Sequence, residues 1–166
     1  MFEELLGIPA HPLFVHAPVV LVPLLALVAA AYAVARVVRP HTRLVLGGLA
    51  IVTPVSALLA KLSGDAFYER LDRTGQLTEG FRPVIENHQD LGNATLLTAT
   101  VLGVLTLLLV YFIPPSAPSI IEPGADRRRQ VLLVGLRVLT LVAAAVSLYF
   151  VIRAGHTGSE AVWQGR

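Results

Sequence analysis

Five histidines punctuate this chain of 166 residues, and four of them, His11, His16, His88 and His156, stand at the margins of long apolar runs. A polar ring beside hydrocarbon costs free energy unless it finds a partner. Three readings of the set follow. In the first, two neutral imidazoles from facing helices ligate a b-type haem held without covalent bonds, for electron transfer. His16, His88 and His156 are then the pool that supplies two ligands, and Gly92, Gly155 and Gly158 leave space for the macrocycle. In the second, histidines drawn from His11, His16, His88 and His156 hold zinc or another divalent ion, with Asp65, Glu86, Asp90 or Glu160 nearby. An open coordination position there would make hydrolysis conceivable. In the third, the rings hydrogen-bond to backbone and to one another, in a non-catalytic accessory or structural subunit of a membrane complex.

Residue types that are missing narrow the chemistry further. The chain has no cysteine, which removes disulfides, thiolate metal sites and thioether-linked haem. Its one methionine is Met1, so a thioether copper site is not expected. Nothing supports a serine nucleophile beyond Ser63, whose neighbours Gly64 and Asp65 fit a helix terminus equally well.

The elements that must position the histidines are membrane helices. With 55% hydrophobic and 14% charged residues and a mean hydropathy of +0.70, the chain is an integral membrane protein. The expected fold is all-α, a single domain over 1–166 forming a four-transmembrane-helix bundle. Its spans are 13–38, 44–62, 94–113 and 131–152, each long enough for about 30 Å of hydrocarbon, with one sizeable loop at 65–87. Glu3 and Glu4 occupy the place of a basic leader, so no cleavable signal peptide is expected.

Charge sets the orientation. Arg36, Arg39 and Arg43 lie between the first two spans, and Arg127, Arg128 and Arg129 between the last two, with Arg137 just inside. The positive-inside rule places these two connections in the cytoplasm, so both termini, the 65–87 loop and the histidine cluster face outward. The basic balance is thereby spent on the bilayer, and no nucleic-acid partner is expected. A membrane redox complex or a second copy of the chain is the remaining class of partner. The four spans carry no evident internal repeat, which disfavours a transporter.

Local patterns refine the picture. Met1–Ile8 suggests a short surface turn of helix. Pro18, Pro23 and Pro54 fall inside spans and should bend them. Ala50, Thr53, Ala57, Ala60 and Gly64 form a small-residue face that lets helices approach closely, and Gly64-Asp65 is expected to end the second helix. The 65–87 segment should lie across the bundle mouth as a lid, with the third helix starting near Pro83. Below His88 run Gly92, Thr95, Ala99, Gly103 and Thr106. Asp126 should cap the fourth helix, Glu160 stands one turn from His156, and Trp163 suits an interfacial anchor. His11 and His16 are five residues apart, about 140° around a helix, so both face inward only if the helix begins after His11. That favours His16 over His11 as the ligand.

Taken together, His11-Pro12, Val15-His16, Pro18, His88 with Gly92, and Gly155-His156-Thr157-Gly158 through Trp163 resemble the motifs of a domain-of-unknown-function family of small four-helix bacterial integral membrane proteins. Its pattern is His-Pro, Val-His-Phe-Pro, His-x-x-x-Gly and Gly-His-Leu-Gly-Gly-Glu-Leu-Val-Tyr. Ala17 replaces the phenylalanine, Ser159 the second glycine and Trp163 the tyrosine. The resemblance implies a multi-pass protein of the bacterial cytoplasmic membrane and brings no settled activity.

Overall fold

The computed structural model describes residues 4–5, 7–116 and 126–164. Its order is β1 (Glu4–Leu5), β2 (Ile8–Pro9), α1 (Ala10–Phe14), α2 (His16–Val34), a single 3-10 turn at Arg36–Val38, α3 (Arg39–Arg73), α4 (Arg82–Phe112) and α5 (Arg127–Gln164). The chain thus has four segments, Ala10–Val34, Arg36–Arg73, Arg82–Phe112 and Arg127–Trp163, that are long and apolar enough to cross a membrane. Leu27, Leu44, Leu97 and Leu132 on their outer faces are exposed. In a bilayer such side chains meet lipid, and the packing of the helices rests on the small residues between them.

Several expectations are corrected by the backbone. The expected helical turn at Met1–Ile8 falls partly outside the described residues, and what is described pairs Glu4 with Pro9 and Leu5 with Ile8 in an antiparallel ladder. Gly7, at φ 79°, makes the tight reversal that a helix would not need. The first span is interrupted at Val15, between α1 and α2. Pro18 has no N–H to return to the Phe14 carbonyl, so the regular pattern lapses there.

The larger correction concerns Gly64, which does not end a helix. α3 runs on to Arg73 and stops at Gly75, whose φ is +67° and whose neighbour Gln76 returns its N–H to the Leu71 carbonyl at 2.9 Å. The left-handed residue that closes the helix is Gly75. Consequently the connection between α3 and α4 is only the short stretch 74–81, and among the described residues no separate lid lies over 65–87. α4 begins at Arg82 with Pro83 in its first turn, where a missing N–H is harmless. Arg82 ties this end together, donating to Tyr68 Oη at 2.9 Å and to Asp72 at 2.6 Å. At 1.5 Å per residue α3 is about 52 Å long, so its end overhangs the hydrocarbon.

The helices form a ring in which α2 and α4 each contact both α3 and α5. Their buried positions repeat. In α2 the buried residues Pro18, Val22, Leu25, Ala26, Ala29 and Tyr32 have the same spacing as Thr95, Ala99, Leu102, Gly103, Thr106 and Leu109 of α4. In α3, Leu46, Ala50, Thr53, Ala57 and Ser63 match the spacing of Thr140, Ala144, Ser147, Val151 and Thr157 of α5.

At the arginine end the helix termini are closed by buried polar side chains. Arg39, fully buried, donates to the Tyr32 carbonyl at 3.0 Å and lies over the Tyr32 ring at 5.8 Å. Tyr32 in turn donates to the Ile113 carbonyl at 2.8 Å. These carbonyls belong to the last turns of α2 and α4, where no amide remains to satisfy them. Asp126 accepts from the Arg128 amide at 3.0 Å and so caps α5.

Two glycines make a paired prediction. A Cβ on Gly103 would stand 2.5 Å from the Ala50 carbonyl oxygen, whereas one on Gly48 would meet nothing within 4 Å. Gly103→Ala is expected to lower the stability of the protein in detergent by about 1–3 kcal/mol. Gly48→Ala should raise it by about 0.5–1 kcal/mol, because helical glycine is disfavoured. Thermal unfolding of the two variants checks both signs.

Candidate functional site

At the end opposite Arg39 two imidazoles meet. His11 comes from α1 and His88 from the first turns of α4, and their ring centroids are 6.0 Å apart at an interplanar angle of 73°, edge to face. Each is anchored to a different helix. His11 Nδ1 lies 3.1 Å from the Ala60 carbonyl oxygen and 3.2 Å from Ser63 Oγ. His88 Nδ1 lies 3.1 Å from the Ala154 carbonyl oxygen and 3.2 Å from Thr157 Oγ1.

The partners dictate the proton positions. A carbonyl can only accept, so a neutral ring must carry its proton on Nδ1. The hydroxyls are compatible with this, since Ser63 Oγ lies 2.9 Å from the Ala60 carbonyl oxygen and Thr157 Oγ1 3.1 Å from that of Ala154, so each can donate there and accept from Nδ1–H. Both rings are therefore Nδ1–H tautomers with a lone pair on Nε2. Among the described residues neither Nε2 has a hydrogen-bond partner.

Glycines let the rings in. A Cβ at Gly64 would stand 3.0 Å from His11 Cε1, and one at Gly158 would stand 3.0 Å from His88 Cε1. Each helix thus gives up a side chain where a ring lies on it. This is a different use from the room for a macrocycle expected of Gly158. Gly92 and Gly155 have nothing within 4 Å of where a Cβ would be, so the space beside them is open.

The other sequence candidates stand apart from this pair. His16 is exposed, and its Nδ1 donates to the Pro12 carbonyl one turn back at 2.6 Å. The five-residue offset does turn His11 and His16 different ways, and it is His11 that faces inward, because α1 already begins at Ala10. His156 is exposed too, with Nε2 3.3 Å from the Glu160 carboxylate. Glu160 does sit beside that ring, on the outer face of α5. Asp65 is paired with Lys61 at 2.5 Å, and Glu86 accepts from Tyr68 Oη at 3.3 Å. Among the described residues no three His, Cys, Asp or Glu side chains gather where a metal ion could be held.

Phe67 went unnoticed as a site residue, and it stacks on His11 at 6.3 Å and 17°. It reaches the ring because α3 continues through Gly64 to Arg73, which puts Phe67 about two turns before the helix end. Ser63 and Thr157 carried a signal, each standing directly before a glycine and three residues after an alanine.

Fold and site define the chain as a small four-helix membrane protein with a histidine pair at one end of the bundle. Compared with protein-family models, with curated proteins and with solved structures, the chain finds no match in any of the three. The family resemblance in the histidine motifs therefore rests on those motifs alone.

Anchored and exposed rings should behave differently. His11→Ala and His88→Ala each remove a hydrogen bond between helices and leave a hole lined by glycine, so each is expected to cost about 1–3 kcal/mol. His16→Ala and His156→Ala should stay within about 0.5 kcal/mol of the parent. Denaturation of the four variants in one detergent separates the two groups.

Proposed function

We propose that this protein carries electrons across or along the cytoplasmic membrane by means of a b-type haem, which His11 and His88 would hold. The observation that supports this reading is the pair itself. Two imidazoles, one from α1 and one from α4, stand side by side with Nδ1 anchored and, among the described residues, no partner on Nε2. A b-type haem can be held by two imidazoles, and two is the number offered. Zinc takes three or four, and the third is missing from the described residues.

The donor set fits such a group. Hydrogen bonds from Nδ1–H to a carbonyl orient a ligating histidine and raise the basicity of its other nitrogen. When bound, a b-type haem supplies one-electron chemistry, with a potential tuned by its axial ligands and their hydrogen bonds. This chain's residues hold the rings in register: Ala60 and Ser63 for His11, Ala154 and Thr157 for His88. Phe67 covers one face of His11. The open space beside Gly92, one turn along α4 from His88, suits a planar group lying against that helix.

Charge supports the orientation in which the pair faces outward. Arg36, Arg39, Arg43 and Arg127 to Arg129 all lie at the other end of the bundle, the pattern of a cytoplasmic face. The bilayer is the one surrounding the helices require. A membrane redox complex or a second copy of the chain would meet the pair from outside.

A second reading has its own observation. Each imidazole already joins two helices by a bond of about 3 Å and lies against a glycine, so the pair could serve purely to clasp the bundle of an accessory subunit. The absorption spectrum of the purified protein after haem supplementation decides between them. A Soret band that His11→Ala and His88→Ala abolish, and that His16→Ala and His156→Ala leave, supports haem. Colourless protein overturns the haem reading and leaves the clasp, and about one equivalent of zinc lost in the His11 and His88 variants would replace both with a divalent site.

A further inference from the structure

We infer that the chain is one helical hairpin built twice, and that Ser63 and Thr157 are equivalent positioning residues, each reinforcing the carbonyl that holds the proton on Nδ1 of its histidine and so leaving Nε2 for a ligand shared between the two copies. The first copy is α1 with α2 and α3, and the second is α4 with α5. At constant sequence offsets every buried position of α4 and α5 falls on a buried position of α2 or α3, and the first copy buries further residues, such as Ala33, Arg39 and Leu49, besides.

The offsets that align the cores also align the site. They bring His11 onto His88, Ala60 onto Ala154, Ser63 onto Thr157 and Gly64 onto Gly158. The coincidence extends to bonding. Each histidine takes the same carbonyl and the same hydroxyl at matching distances, 3.1 and 3.2 Å in both copies. Each glycine is approached by the same atom, Cε1, at the same 3.0 Å. Four independent features thus repeat together, and the two half-sites touch through the rings.

Both copies start at the same end of the bundle, so they are parallel repeats about an axis along the membrane normal. The half-sites meet where that axis leaves the helices. A ligand there is held by one imidazole from each copy, and a single electron-pair acceptor with two equivalent positions satisfies both. The hydroxyls act through the rings. Each can spend its own proton on the carbonyl and accept from Nδ1–H, which reinforces the tautomer that the carbonyl sets. Serine and threonine serve equally, since the two copies use one of each.

The tautomer assignment stands without any ligand. That the two lone pairs serve a haem iron rests on the reading above. The test is long-range proton–nitrogen correlation of the 15N-histidine-labelled full-length protein in lipid nanodiscs, at neutral pH and without added haem. Both His11 and His88 should show a protonated Nδ1 and an unprotonated Nε2. Ser63→Ala should shift the Nδ1 resonance of His11, and Thr157→Ala that of His88, while Ser63→Thr and Thr157→Ser retain the parent signals. An Nε2–H tautomer at either ring overturns the inference, as does failure of both alanine variants to move their histidine. Should an alanine variant not fold, the parent tautomers and the two conservative variants still decide. A colourless protein with these nitrogen signals would sink haem and keep the inference.

Discussion

An imidazole N–H that crosses to the carbonyl of another helix is the interaction on which the rest of this structure turns. Carbonyls in membrane helices already accept one bond from their own helix, yet each has a second lone pair. Ala60 and Ala154 share theirs between the imidazole of His11 or His88 and the hydroxyl of Ser63 or Thr157. In lipid, where apolar burial no longer holds helices together, a bond of this kind fixes rotation and depth at once. The far end applies the same logic to orphan carbonyls, with Arg39 closing α2 and Tyr32 closing α4. The bundle is thus pinned at both ends by polar side chains, and between them small residues such as Ala26, Ala50, Ala99 and Gly103 pack with buried Leu25, Leu46, Leu102 and Leu109.

Glycine decides where that pinning is geometrically allowed. A ring cannot approach a helix backbone closely through a side chain, so Gly64 and Gly158 are required where the imidazoles lie, and Gly103 where α4 comes against Ala50. These three have different neighbours and one cause. The glycine that ends α3 is a separate case, needed for its positive φ and for nothing it touches.

Much of the fold was legible in the sequence because hydrocarbon imposes a length that apolar runs must meet. Four long apolar runs gave four membrane-length helices, Pro83 marked the start of α4, and Asp126 marked that of α5. The misreadings share a source. Gly64-Asp65 has the composition of a helix terminus, and only the imidazole lying on Gly64 shows why the helix continues. The choice of His16 over His11 followed from its place deeper in the apolar span, whereas it is His11, in the short helix that begins at Ala10, that reaches Ala60 and Ser63. The duplication escaped notice because few residues are identical between copies. What repeats is which positions are buried, and burial is a property of the fold that side-chain names reveal poorly.

The two copies are alike in how they hold a ring and unlike in what shields it. Phe67 stacks on His11, and the position that corresponds to it in the second copy is Ala161. One histidine therefore has an aromatic wall on one face, and its counterpart has a methyl group at most. A pair that began as equals has become chemically inequivalent. The pair therefore presents two different faces in what is otherwise a two-fold site.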